Sequence, residues 1–260
     1  MQYLKTAIIQ TDLVWLNAVK NQQQILEKID QIKEEVDLIV LPEMFTTGFS
    51  MHPQEVAETM QGNTVKWMQS IAAEKNMAVA GSVIISESSK YYNRFLFVHP
   101  TGEVHYYNKK HLFTLAGEHK IYTSGNEKII VNYKGWKICP MVCYDLRFPV
   151  WARNVEDYDV LIYVANWPKP RITAWDTLLK ARAIENMCYT IGVNRVGKDA
   201  NKLEYSGHSA IYDCLGEKLT EIAPNKEGVA VVTLAKNHLN IVRKKLNFLS
   251  DKDAFQIENK

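Results

Sequence analysis

The chain has 260 residues, of which 47% are hydrophobic and 23% charged, and its formal net charge is +2. That balance is ordinary for a globular protein and supplies no strong field toward nucleic acid or an anionic membrane, so neither is expected as a partner. No window approaches the roughly 18 apolar residues of a membrane span, the first residues lack a basic stretch followed by a long apolar core, and four cysteines are too few for a disulfide scaffold; a cytoplasmic protein is expected.

In chain order, an apolar run at 6–13 predicts a strand. A helix follows over 17–35, where Val19, Ile25, Ile29 and Ile32 recur among polar residues. A strand at 37–43 leads to a helix over 62–76, capped by Asn63 or Thr64. Strands are then predicted at 77–85, 93–100, 103–109, 128–133, 136–145 and 159–167. A helix over 174–187 places Leu178, Ala181, Arg182 and Glu185 along one side, and strands at 189–196, 208–213 and 228–234 complete the series. The Gly turns "PTGE" (100–103), "YKGW" (133–136) and "CLGE" (214–217) predict hairpins, whereas the helices predict crossovers. Hairpins mixed with crossovers, and doubly apolar strands such as "LIVL" and "VLIYVA", imply an α/β protein with layered, mixed sheets. With no Pro/Gly/Ser-rich linker and no repeat, residues 1–260 are expected to form one domain.

Three polar residues stand at the ends of apolar strands: Glu43, Lys109 and Cys143. In layered α/β proteins, ligand sites form beyond the carboxyl ends of strands. Each residue alone also fits a plainer role: a turn cap, a surface lysine, a core thiol. Together they fit acyl transfer. A thiol becomes a strong nucleophile once deprotonated, a carboxylate can take and return its proton, and an ammonium can stabilise an oxyanion together with a backbone N–H such as that of Tyr144. "CPMVC" lacks zinc or thioredoxin spacing, no H-E-x-x-H or Gly-rich phosphate loop occurs, and the seven histidines are scattered without a ligand-like pair, so no metal is expected. A hydrolase using His111, His119 or His208 as base for Cys143 is the rival reading of the same residues.

The blocks "LPEMFTTGF" (41–49), "YNKKHLF" (107–113), "CYDLRFP" (143–149) and "ANWP" (165–168), with "KARAIEN", "VNRVG" and "GHSAIYD" further on, resemble the carbon–nitrogen hydrolase, or nitrilase, superfamily over nearly the whole chain. The resemblance implies a four-layer αββα sandwich with two mixed sheets. It also implies a catalytic Glu43, Lys109 and Cys143, a supporting Glu118, no cofactor, and a homodimer whose interface takes in the helix near 180–187 and a C-terminal tail from about 246 to 260. Lys110, next to Lys109 on a strand, is expected to point away. "MFTTGFS", "FTLAGEH", "ANWPKPR" and the tail "LNFLSDKDAF" are similar to the omega-amidases, which release ammonia from the terminal amide of 2-oxoglutaramate or 2-oxosuccinamate. Such a substrate carries a carboxylate, for which Arg147 and Arg171 are the candidate cations, unless they pair with acids such as Asp145 or Asp176. Phe45, Tyr144 and Trp167 are candidate pocket walls. An N-carbamoyl amino acid hydrolase, a nitrilase, another aliphatic amidase and an inactive binding protein on the same fold remain open alternatives.

Overall fold

Side-chain alternation along the strands sorts the chain into layers. The structure is a computed structural model and describes residues 2–258. Its elements run β1 (Tyr3–Gln10), α1 (Ala18–Asp30), β2 (Leu38–Val40), α2 (Pro53–Val56), α3 (Asn63–Glu74), β3 (Ala78–Glu87), β4 (Lys90–Val98), β5 (Val104–Asn108), β6 (Val131–Tyr133), β7 (Trp136–Val142), α4 (Pro149–Ala152), β8 (Val160–Ala165), α5 (Ile172–Asn186), β9 (Tyr189–Asn194), β10 (Val196–Lys198), β11 (Glu204–Ser206), β12 (Ala210–Tyr212), β13 (Gly228–Ala235) and α6 (Lys236–Leu246). One sheet has the order β13-β1-β2-β3-β4-β5, and a second has the order β12-β9-β8-β7-β6. Both are mixed: β1, β2 and β3 are parallel, as are β7, β8 and β9, while the flanking pairings are antiparallel.

In the first sheet, Leu4, Ile8, Leu38, Val40, Ala78, Ala80, Phe95 and Phe97 pack into one core with the strands of the second sheet. Their sequence neighbours Ala7, Ile9, Ile39, Leu41, Val79, Leu96 and Val98 pack instead with Ile25 and Ile29 of α1 and with Val65, Met68 and Ile71 of α3. A period of two thus divides each strand between a sheet-facing and a helix-facing core. On the second sheet, α5 lies against β9 so closely that a Cβ on Gly192 would stand 2.3 Å from Leu179 and 2.9 Å from Trp175, so only glycine fits there. The result is the helix–sheet–sheet–helix sandwich that the resemblance implied. Among the described residues, no helix is long and apolar enough to cross a membrane.

Several local expectations need correction. The first turn of α3 is not capped by Asn63 or Thr64: Gly62 is the N-cap, and the Glu58 carboxylate accepts from the Thr64 backbone N–H at 2.7 Å. Val19 of α1 is 74% exposed, while Asn21 takes the inward position and ties the loop by donating to the Val14 and Thr46 carbonyls. The buried side of α5 carries Trp175, Leu179, Arg182, Ala183 and Asn186 rather than the stripe Leu178, Ala181, Arg182 and Glu185. Neither α6, whose Leu239 and Val242 are buried three residues apart on one side, nor the β10–β11 hairpin of two three-residue strands is among the elements expected from sequence. The tail touches its own chain through Lys252, which donates to the Asn154 carbonyl at 3.2 Å; residues 259–260 of the expected interface tail lie outside the described residues.

Candidate active site

Four loops at the carboxyl ends of β2, β5, β7 and β8 bring the polar residues together. Glu43 lies three residues beyond β2, Lys109 directly follows β5, Cys143 directly follows β7, and Asn166 directly follows β8. Lys109 Nζ donates to Glu43 Oε1 at 3.1 Å and to Glu118 Oε2 at 2.9 Å. All three side chains are at most 1% exposed. Burial disfavours the lysine charge, but the carboxylates of Glu118 and Glu43 outweigh it and hold the ammonium above its ordinary pKa. Glu118 itself is pushed upward, by burial first, with Lys109 opposing and Glu43 adding to the rise. It is positioned by the turn at Gly117, whose φ of 78° is left-handed, and it accepts from the Phe113 N–H at 2.5 Å.

The Glu43 carboxylate is fixed from several sides. Asn93 Nδ2 donates to Oε1 at 2.7 Å, and the Asn166 backbone N–H donates to Oε2 at 2.7 Å. Asn166 Nδ2 also donates to the Glu43 carbonyl at 2.7 Å. Neither asparagine was singled out from sequence. Asn166 had a signal in its place within "ANWP"; Asn93 had only that of a polar residue in an apolar strand.

Cys143 has a φ of 45°, a left-handed conformation that lifts the residue at the turn from β7 into a short 3-10 segment. Its thiol pKa is raised well above the ordinary value, first by burial and then by the Glu43 charge, with Lys109 opposing. The resting group is therefore a neutral thiol beside a carboxylate that can take its proton.

The turn is held by Asp145. One carboxylate oxygen accepts from the Val142 N–H at 3.0 Å and from the Tyr107 hydroxyl at 2.8 Å. The other accepts from the His111 backbone N–H at 2.9 Å and lies 2.8 Å from His111 Nδ1. Tyr107 in turn accepts from Lys110 N–H and Trp151 Nε1. Burial and the Asp145 charge push its phenol well above the usual pKa, so it remains a donor. Asp145 therefore ties the cysteine turn to the strand end that bears Lys109. In Asp145→Asn, the amide keeps one acceptor oxygen for the three groups that donate to the carboxylate, Val142 N–H, Tyr107 Oη–H and His111 N–H. We expect a stability loss of about 1–3 kcal/mol, the cost of buried groups left unpaired. A fall in kcat larger than the rise in KM is also expected, checked by chemical denaturation and steady-state kinetics.

Glu43, Lys109 and Cys143 line a cavity of about 240 Å³ together with Asn166, Phe49, Met51, Phe113, Tyr144, Trp167, Arg147, Arg171 and the β10–β11 loop at Asp199, Asn201 and Leu203. That is smaller than the roughly 300–1,000 Å³ of sites for drug-sized ligands, so a small molecule is the natural occupant. Arg147 stacks over Trp167 at 4.9 Å and Arg171 over Phe113 at 5.2 Å. Among the described residues neither guanidinium has a carboxylate partner: Asp145 is engaged by His111, and Asp176 by His208 at 2.9 Å. Lys110 points away, over Trp151 at 5.3 Å.

Phe45 does not wall the cavity. It is fully buried on the helix side of the first sheet, 5.9 Å from Trp67, because the left-handed turn at Met44 sends it beneath the strand. Phe49 takes that place in the cavity lining. Among the described residues, no histidine lines the cavity. His111 stacks on Phe148 at 3.7 Å, and His119 opens onto a separate surface depression, which weighs against the cysteine–histidine rival.

A thiol, a buried ammonium and a shielded carboxylate at the floor of a small cavity, set on an αββα sandwich, define a thiol-dependent acyl-transfer type of site. The sequence profile of the carbon–nitrogen hydrolase family matches residues 5–244, and the chain belongs to that family. It is 43% identical to the omega-amidase YafV of Escherichia coli K12, over 99% of this chain and 100% of that one. It is 33% identical to the 2-oxoglutaramate amidase of Bacillus subtilis, over 85% of this chain and 86% of the relative. A carbon–nitrogen hydrolase superfamily structure from Xanthomonas campestris, bearing an arsenic adduct in its active site, superposes with a TM-score of 0.96 at 41% identity, covering 99% of this chain and 100% of that one.

Proposed function

We propose that the protein is an omega-amidase: a thiol hydrolase that cleaves the terminal amide of a small carboxylate-bearing substrate, such as 2-oxoglutaramate or 2-oxosuccinamate, to the diacid and ammonia. The observation that carries this reading is the single buried ammonium of Lys109, shared by Glu43 and Glu118, at the floor of the cavity that Cys143 lines. Glu43 takes the thiol proton as Cys143 Sγ bonds to the amide carbon. The oxyanion is stabilised by Lys109 and the Tyr144 N–H; one such donor is typically worth about 3 kcal/mol. Glu43 returns the proton to the leaving nitrogen, the C–N bond breaks, and ammonia departs from a thioester. Glu43 then deprotonates water, which attacks the thioester and releases the carboxylic acid and the thiol. Glu118 holds Lys109 in place and keeps it charged.

Arg147 and Arg171 supply the cations for the distal carboxylate, and Tyr144 and Trp167 the walls. Names of relatives at 43% and 33% identity point to the same amides. Ammonia release over a panel of 2-oxoglutaramate, 2-oxosuccinamate, N-carbamoyl amino acids and simple nitriles tests the assignment; turnover of another class without the oxo-amides would overturn it. Removing the arginine that holds the carboxylate is expected to raise KM about 10–100-fold with a smaller change in kcat. Arg147→Ala and Arg171→Ala, assayed in parallel, identify which one, and an unchanged KM in both would remove the carboxylate from the reading.

Further parts of the reading are one domain, a homodimer and a cytoplasmic site. Support for one domain comes from the core that both sheets share. For the dimer it comes from exposed apolar residues on neighbouring segments, Val150 at 56%, Ile184 at 46% and Phe248 at 58%. For location it comes from four free thiols, which a reducing compartment preserves.

A further inference from the structure

The register of one hairpin assembles a group that the spacing of its residues hides. Phe97 of β4 pairs with His105 of β5, and the His99 N–H donates to the Glu103 carbonyl at 2.8 Å. Residues opposite one another across antiparallel strands share a face, as do residues two apart along one strand. His99, Glu103 and His105 therefore leave the same face of the sheet as Phe97, the face turned toward the second sheet. The "HPTGEVH" stretch holds two imidazoles and a carboxylate six residues apart at most, and the turn folds them onto each other. Scattered histidines thus become a pair, which corrects the expectation from sequence.

The ligand-type atoms of the three side chains lie within 4.8 Å of one another. His105 Nε2 is 3.2 Å from Glu103 Oε1, and the two imidazole rings are 5.1 Å apart at 68°. The separation of about 3.3 Å between ligands of a tetrahedral ion follows from metal–nitrogen bonds of about 2.0–2.1 Å. His105 and Glu103, with side chains 40% and 63% exposed, are free to make up the difference by rotation. His99 is the fixed member, held against Phe97 at 5.0 Å and against Tyr133 of β6 at 5.3 Å. Its Nε2 is buried and has no hydrogen-bond partner. A buried polar atom left unpaired is destabilising, so such a group calls for a ligand.

We propose that His99, Glu103 and His105 form a divalent-metal site for an imidazole-seeking ion of the zinc or nickel class, completed by water. Two nitrogens and one carboxylate oxygen favour such ions over magnesium or calcium. The site is separate from the cavity: His99, just past the end of β4, lies six residues from Asn93, the donor to Glu43, or about 20 Å of extended chain at 3.3 Å per residue. An ion there clips the β4–β5 hairpin beside β6 of the second sheet, so its effect is on stability rather than on hydrolysis.

The full-length protein, stripped with EDTA and titrated calorimetrically with zinc or nickel, tests this. One saturable ion per chain and a raised melting temperature are expected. Changes outside the ligand shell alone cost about 10–100-fold in affinity, so His105→Ala should weaken binding by about 100-fold or more. Its metal-free melting temperature and hydrolytic rate should match those of the parent. Cys143→Ala should keep the ion, and cobalt should show weak d–d bands without a thiolate charge-transfer band. Absence of saturable binding, undiminished binding in His105→Ala, or loss of the ion in Cys143→Ala would each overturn the proposal; the last would assign the metal to the cavity thiol.

Discussion

Replacement of Cys143 by alanine is expected to reduce amide turnover by about 100,000-fold or more, the scale seen when a nucleophile that acts as one unit with its partners is removed. The fold should survive. The substitution deletes one sulfur atom at a cavity wall, and the left-handed φ of 45° at this position is set by the Asp145 bonds around the turn rather than by the thiol. Stability should stay within about 1 kcal/mol of the parent by chemical denaturation. In the parent, rapid quenching with substrate followed by mass spectrometry should find an acyl group on the peptide bearing Cys143. Cys139 and Cys188 should stay unlabelled, since both are fully buried and neither lines the cavity. Full turnover by the alanine variant would end the thiol mechanism. A parent thiol that never carries an acyl group would favour the inactive binding protein.

Lys109→Met is expected to damage both stability and activity, and to steepen part of the pH dependence of stability. The ammonium is the counter-ion of two carboxylates that are both fully buried. Removing one partner of a buried ion pair typically costs about 3–5 kcal/mol, because the remaining charge has neither solvent nor partner. Glu118 is already raised above its ordinary pKa by burial, and Lys109 is the principal influence lowering it. Without the lysine, the folded-state pKa rises further above the unfolded one. A carboxyl of that kind favours the fold when protonated, so its contribution is present below the unfolded pKa and is lost as pH rises through the folded value. The variant should therefore gain stability relative to the parent as pH falls from 7 toward 5, read from denaturation midpoints across that range. Lys109→Met with Glu118→Gln should recover much of the stability and none of the activity, because Glu43 is then the one carboxylate left in the cluster and keeps its donors from Asn93 and Asn166, but the oxyanion still lacks its ammonium. A single variant as stable as the parent at neutral pH would show that the cluster does not depend on this charge.

All eleven strands expected from apolar runs are present, with ends displaced by up to three residues, and all three expected helices form. Runs such as "VLIYVA" fit strands buried on both faces, since they are short and rich in β-branched and aromatic residues, and this one is buried throughout. Glu43, Lys109 and Cys143 stood out because each ends an expected strand and the three together supply complementary roles in acyl transfer. Asn93 escaped notice because an asparagine among strand residues carries no periodic signal; its role exists only through a neighbour 50 residues earlier. Phe45 and Phe49 are equivalent as aromatic residues in one motif, and the left-handed backbone at Met44 and Gly48 sends one to the helix-side core and leaves the other to the cavity.

The order of residues by itself determined the α/β class, the family likeness, and the chemical types at the candidate centre, because periodicity and local motifs are properties of adjacent positions. Only the tertiary structure decided which groups share a space: two glutamates on one lysine, an aspartate held by Val142, Tyr107 and His111, two arginines without acids, and two histidines facing each other across a turn. Hydrogen bonds and ion pairs act over about 3 Å, and chain segments far apart in sequence come within that range only once the sheets have stacked.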